Sequence, residues 1–391
     1  METRHDVHAG PEFTGSAEFS MMLFWLDLSY IVGMLLWMSG LWIVLVWMLR
    51  RRRSARMNAN SGAGAGRKLM LTSAFAVWFF IATITLAEIV FALGVDHSEA
   101  FNASLIAKRW FSRHFDSQRN RDGFRERRLL STRLPEGVHR LLMLGDSFTA
   151  GHGINNIDDR FTERLERLLN SQAKPSWQVY NMGEPGYEIS MIRALEQAVL
   201  EKELAVDLVI YCYMMNDIEG YDPKTTQAIE DIGKRRQSSN WLVSHSYFIN
   251  WMYHRWVQYS AGSSVDYFPH LVESYNGPPW NAVAHELDGM LGMCREKKVP
   301  FRLVIFPFMH NLGPEYPFRK AHEKLVAWAS TQSVPVLDMM PVFESHQAEN
   351  LTVNAFDNHP NERAHAIIAE QMAVWLADDH GLKKPTDPVA P

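Results

Sequence analysis

The chain is 391 residues long, 47% apolar and 21% charged, with a net charge of −5. This balance excludes bulk disorder and collagen-like repeats, leaves enough apolar side chains for a sizeable core, and gives no electrostatic case for nucleic acid as a partner. Two cysteines, Cys212 and Cys294, cannot build a disulfide framework and form no Cys-x-x-Cys pair, so both are expected as buried thiols.

The apolar residues are unevenly spread. Residues 28–49 carry no charged side chain, and at about 1.5 Å per helical residue that run covers a hydrocarbon core of about 30 Å. A second run, 69–93, is long enough as well and holds a single charge, Glu88. Two transmembrane helices are therefore predicted. Arg50, Arg51, Arg52, Arg53, Arg56, Arg67 and Lys68 crowd the connecting segment 50–68, and positive loops stay cytoplasmic, so both chain ends are expected outside the cytoplasm. A further basic stretch, 108–133, favours the opposite orientation but begins about 15 residues past the second span, where the rule weakens. The charged residues among the first twenty are mostly acids, with Arg4 the only strong base, which argues against a cleaved signal peptide. Residues 1–27 then form an extracytoplasmic tail, 28–93 a membrane hairpin and 94–138 a juxtamembrane lead-in. Gly62-Ala63-Gly64-Ala65-Gly66 follows no strand and is read as a flexible turn, not a phosphate loop. Glu88 sits near the outer end of its helix, where it either reaches the headgroups or serves a proton relay or a membrane partner.

After Arg133 the pattern changes to short apolar runs alternating with helical periods. Strands are predicted at 139–144, 177–181, 207–213, 301–306 and 334–337, and helices at 160–170, 188–204, 281–298, 317–331 and 361–377. Their alternation argues for an α/β fold: a three-layer α/β/α sandwich on a parallel sheet spanning 139–380, with a tail at 381–391. Residues 218–280 are too long for a plain connection and are read as an insertion. It is dense in aromatics, which suit either a small helical subdomain or a substrate platform or membrane-resting lid; Trp251 and Trp256 are the candidate substrate-binding residues.

The first predicted strand runs into Gly145-Asp146-Ser147, which puts a serine at the carboxyl edge of the sheet, where such folds bind ligands. Serine attacks a carbonyl only when a base takes its proton and a carboxylate orients that base. The chain supplies both late, in Asp357-Asn358-His359-Pro360-Asn361 before the last helix. Asp146 is read as a structural hydrogen-bonder, and His152 and His310 as structural histidines without partners at metal-ligand spacing. The motif is not the Gly-x-Ser-x-Gly elbow of α/β-hydrolases.

In these blocks the sequence resembles the SGNH (GDSL-type) hydrolase family, from about residue 120 to the end of the last helix. Gly145-Asp146-Ser147 resembles the nucleophile block, and Asn181-Met182-Gly183-Glu184-Pro185-Gly186 the second block. Asn216-Asp217 resembles the third block and His359-Pro360-Asn361 the last. Asn120-Arg121-Asp122-Gly123-Phe124-Arg125 is similar to a segment preceding the catalytic domain in exported members. The resemblance implies a flavodoxin-like SGNH fold with catalytic Ser147, His359 and Asp357, and an oxyanion hole made by the N–H groups of Ser147 and Gly186 and the Asn216 amide. Two departures stand out: Met214 occupies a usual glycine position and is expected to narrow the oxyanion hole, and Asp357 stands two residues before His359 instead of three.

Together these features predict a membrane-anchored serine esterase in the inner membrane, its catalytic domain on the periplasmic side, acting on O-acyl and above all O-acetyl esters of a cell-surface glycan. No cofactor and no metal are expected. The expected partners are the bilayer, a glycan-linked ester and a membrane acyltransferase. An O-acyltransferase that passes the acyl group to a polysaccharide, and a non-catalytic glycan-binding module, are the alternative readings.

Overall fold

The computed structural model describes residues 15–57, 64–171, 176–238, 240–260, 267–309, 312–344, 346 and 351–380. The described chain forms two compact units, one comprising the residues up to Asp96 together with His245–Trp251, the other His97–Ser244 and the residues from Met252 onward.

The first unit is built on two helices, α1 (Gly15–Met57) and α2 (Gly64–Leu93). Within them Leu28–Ser54 and Lys68–Leu93 are long and apolar enough to cross a membrane, and only 6% and 17% of these stretches is buried, unlike the core helix of a soluble domain. Helix α1 begins inside the segment predicted as an N-terminal tail. Gly64, Ala65 and Gly66 open α2 instead of lying in a turn, while Gly62 and Ala63 fall outside the described residues. The helices are joined by hydrogen bonds between them: Trp37 Nε1 donates to Thr85 Oγ1 at 3.0 Å and Trp78 Nε1 to the Leu41 carbonyl at 3.0 Å. Glu88 turns to the chain's own residues. Its carboxylate accepts from Tyr30 Oη (2.6 Å), Ser246 Oγ (2.5 Å) and the N–H groups of Tyr247 (2.8 Å) and Phe248 (3.0 Å). Those amides are the open N-terminal donors of a helix starting at Tyr247, so the carboxylate acts as its anionic cap.

In the second unit the lead-in contains helix α3 (Leu105–His114). The sheet follows as β1 (Val138–Gly145), β2 (Ser176–Gly183), β3 (Leu208–Met214), β4 (Phe301–Phe306) and β5 (Val336–Asp338), all parallel in the order β2-β1-β3-β4-β5. Every residue of β3 and β4 is buried, as expected of strands covered on both faces. After β1 come the one-turn helix α4 (Ser147–Ala150) and helix α5 (Phe161–Asn170); helix α6 (Ile189–Glu201) joins β2 to β3. Between β3 and β4 lie α7 (Pro223–Arg236), α8 (Trp241–His245), α9 (Tyr247–Ser260), α10 (Tyr267–Ser274) and α11 (Pro278–Lys297). The predicted insertion is thus helical but not a separate subdomain, because His245–Trp251 belongs to the first unit. Helix α12 (Arg319–Gln332) leads to β5, followed by α13 (Met340–Phe343) and α14 (Glu362–His380). α5 packs with α14 and α6 with α11, and because parallel crossovers are right-handed, the reversal from the β1–β2 step to the later steps sets α5 and α14 on one face of the sheet and α6, α11 and α12 on the other, which makes the three layers.

Two short strands lie outside the main sheet and outside the sequence prediction: β6 (Thr352–Asn354) and β7 (Asp357–Pro360), paired antiparallel. They carry the late Asp-x-His segment. The strand order reverses at β1, so the crevice between the carboxyl ends of β1, β2 and β3 is where a doubly wound sheet presents its site.

Candidate active site

The serine is presented by a strand-to-helix turn. β1 ends at Gly145, and the Asp146 carboxylate accepts from the Phe148 N–H at 2.9 Å, capping α4. Ser147 is the first residue of that helix, so its N–H has no intrahelical acceptor. Gly145 is required by close approach: a Cβ there would stand 2.8 Å from Thr149 Cβ and 3.0 Å from the Cys212 carbonyl. Beyond α4, Gly151 and Gly153 take positive φ (72° and 90°), turning the chain so that His152 points inward.

β7 supplies the base. Side chains alternate along a strand, so Asp357 and His359 share one face while Asn358 points to the other and is exposed. The two-residue spacing, one shorter than the family pattern, is the spacing a strand needs to set both groups side by side. His359 Nδ1 lies 2.5 Å from Asp357 Oδ1, and His359 Nε2 lies 2.8 Å from Ser147 Oγ. The tautomer protonated on Nδ1 satisfies both contacts: it donates to the carboxylate and accepts from the serine hydroxyl. The His359 backbone N–H also donates to Asp357 Oδ1, at 3.1 Å.

Burial sets the electrostatics. Taking Asp357 out of water would raise its pKa, but the charge on His359 and the hydrogen bond to it hold the carboxyl below the usual carboxylate range. For His359 burial works toward a lower value, and the Asp357 carboxylate, by charge and by hydrogen bond, reverses it and raises the pKa above 6.5. Asp146 is raised by burial, against the Phe148 N–H, His359 and the side chains of Asn216 and Ser147. Its Oδ2 is 3.4 Å from Ser147 Oγ, and its firm hydrogen bond is the helix cap.

Among the described residues the N–H groups of Ser147 and Gly186 have no acceptor. Gly186 adopts φ 81° in the turn closed by the Tyr187 N–H to the Glu184 carbonyl. Asn216 follows β3 in a turn fixed by buried Asp217, which accepts from Tyr211 Oη (2.6 Å) and the Met214 N–H (3.1 Å). Met214, at the usual glycine position, is a fully buried member of the core.

The lead-in segment braces these loops. Arg125 is buried and donates to the carbonyls of Gly151 (2.7 Å) and Ile154 (2.6 Å), the turn after α4. Arg119 forms a bidentate pair with Glu184 in the second block, both contacts at 2.7 Å.

His152 is the site residue that sequence reasoning underrated. Its Nε2 lies 3.2 Å from the Glu99 carbonyl and 3.7 Å from Asp357 Oδ2, and its ring centroid is 4.5 Å from that of His359. Burial, with the charge of His359, lowers its pKa to about 4, so it is neutral wherever His359 can act as a base. His152, Asp357 and His359 offer ligand atoms within 4.8 Å of one another, yet both ring nitrogens of His359 already serve Asp357 and Ser147, so a cation there would break those bonds. The only local hint was a histidine between two glycines; its partners lie far along the chain. His310 is outside the described residues. The cluster around Ser147 contains neither tryptophan: Trp251 belongs to the first unit, its ring 5.0 Å from Phe91, and Trp256 is 64% exposed beside Tyr253.

The model of the GDSL-like Lipase/Acylhydrolase family matches residues 143–367. Similar solved structures include a lipolytic protein of the G-D-S-L family from Desulfitobacterium hafniense DCB-2, 14% identical over 60% of this chain and 98% of that one, with a TM-score of 0.36. A member of the same family from Veillonella parvula DSM 2008 is 16% identical over 59% of this chain and 94% of that one, with a TM-score of 0.35. The lipase/acylhydrolase from Enterococcus faecalis is 13% identical over 64% of this chain and 100% of that one, with a TM-score of 0.38. No curated protein matches. The matched span takes in the end of β1, the turn bearing Ser147, strands β2 to β5 and the hairpin bearing His359, and the chain belongs to the GDSL-like lipase/acylhydrolase family.

Proposed function

We propose that this protein is a membrane-anchored serine esterase that hydrolyses O-acyl esters, O-acetyl groups first, on a cell-surface glycan. The observation that carries the reading is the unbroken chain from Ser147 Oγ through His359 Nε2 and Nδ1 to Asp357 Oδ1, with contacts of 2.8 and 2.5 Å. Ser147 attacks the ester carbonyl as His359 takes its proton. His359 then protonates the leaving alcohol, and the ion pair with Asp357 stabilises the imidazolium. The N–H groups of Ser147 and Gly186 and the Asn216 amide receive the developing oxyanion, where the loss of one donor typically costs about 10²–10³ in rate. Water, activated by the same histidine, resolves the acyl-enzyme.

The two apolar helices anchor the enzyme, and the Arg50–Arg53 cluster with Arg67 and Lys68 keeps their connection cytoplasmic, so the hydrolase unit faces the periplasm. The test is the fate of the acyl group from an acetylated oligosaccharide incubated with the purified full chain and an unacetylated acceptor. Release as free acetate supports hydrolysis, whereas acetate appearing on the acceptor would make the protein a transferase.

A further inference from the structure

A cavity of about 390 Å³ lies wholly within the second unit, against the face of β7 opposite to the Ser147–His359 contact. It falls in the size range of small-ligand sites. Asn358 lines it, between Asp357 and His359 in sequence but on the other side of the strand. Two arginines reach it from different helices, Arg236 at the end of α7 and Arg255 in α9. The one carboxylate in its wall, Glu99, already accepts from Arg255 at 2.5 Å and from Ser104 Oγ at 2.9 Å. Arg236 forms no hydrogen bond or ion pair among the described residues; its guanidinium lies over the Phe101 ring, 4.2 Å from the centroid. A guanidinium stacked in this way keeps its N–H edge for a planar anion. His254, also in the wall, has its pKa lowered to about 4, first by burial and then by the charges of Arg236, Arg255 and Lys108.

We propose that this cavity is an anion-binding site, separate from the Ser147 site, which takes the carboxylate or phosphate group of a small ligand between Arg236 and Arg255. Two cations against one committed carboxylate leave the cavity with positive charge in a partly dry setting, where a carboxylate or phosphate is favoured and a neutral ligand gains nothing. The aromatic wall, with Phe101 and Phe356 each under a guanidinium, fixes both cations in place.

The test is calorimetry on the full-length protein in phosphatidylcholine nanodiscs, titrated with inorganic phosphate, with methyl glucuronide and with neutral methyl glucoside. Saturable binding of at least one anion is expected, none of the glucoside, and a loss of at least tenfold in affinity in Arg236→Ala and Arg236→Gln. Far-UV circular dichroism and the thermal midpoint of these variants should equal wild type, reporting that they are folded. Binding of phosphate alone identifies a free phosphate site, and binding of the glucuronide a sugar acid. Suppression of both in phosphatidylglycerol-rich nanodiscs identifies the phosphate of a lipid headgroup. Equal binding of glucoside and glucuronide, unchanged affinity in folded Arg236 variants, or no saturable anion binding would overturn the proposal. None of these readouts depends on ester hydrolysis, so the site and the esterase reading fail separately.

Discussion

His359 can take a proton from Ser147 only while it is itself neutral, and Asp357 raises its pKa above 6.5. Activity should therefore rise with pH along a limb centred above that value. In Asp357→Asn the charge that raised the pKa is gone, so the limb should move to lower pH while turnover falls by about 10³–10⁴. His359→Ala should cost as much as Ser147→Ala, since the two act as a unit. A pH–rate profile of kcat/KM on a small aryl acetate checks all three, and a limb that stays in place in Asp357→Asn would show that the carboxylate does not govern the base. The linked stability effect of Asp357 runs in the same direction, at lower pH: held below 3.8, it contributes stability at neutral pH that disappears as the pH falls through its folded-state pKa. Ser147, His359 and Asp357 were readable as residues because each sits in a short motif. His152 was not, because what distinguishes it is Asp357 and His359 beside it in space.

At the scale of elements, the main sheet was legible because its strands are apolar runs bounded by turns. Only their ends differ from expectation, as where β5 begins after Pro335, a residue that cannot donate to the ladder. The β6–β7 hairpin escaped prediction because three- and four-residue strands such as Asp-Asn-His-Pro have no periodicity to read. Yet it is this pairing that turns a shortened Asp-x-His spacing into two side chains on one face. The function of the lead-in also shows only in three dimensions, where Arg125 ties the Gly151–Ile154 turn to the segment before the sheet. Arg125→Ala removes the guanidinium donor from the Gly151 and Ile154 carbonyls, of which Gly151 keeps only the Ile154 N–H at 3.2 Å, and should destabilise the hydrolase unit by about 2–3 kcal/mol, lowering Tm by roughly 5–10 °C. Differential scanning fluorimetry of the full chain measures this, and a shift under about 1 °C would mean that the brace is dispensable.

For the whole molecule, the hydropathy runs marked both long helices, but the sequence did not reveal that His245–Trp251, from deep within the predicted hydrolase domain, joins them in one unit. Glu88 carries that grouping, and its partners Ser246, Tyr247 and Phe248 are too remote in sequence for any local pattern to link them. Orientation can be read with single cysteines after the buried Cys212 and Cys294 are replaced. A cysteine at Ser54 should resist a membrane-impermeant maleimide in intact spheroplasts, and one at exposed Gln227 should react; the reverse pattern would place the hydrolase unit in the cytoplasm. The most direct measurement of the central claim is intact-mass analysis of the full-length protein after treatment with a fluorophosphonate. One adduct per chain is predicted, mapped to Ser147 and accompanied by loss of esterase activity, with no adduct in Ser147→Ala and strongly slowed labelling in His359→Ala. Full activity in Ser147→Ala, or an adduct on a different serine, would contradict the account.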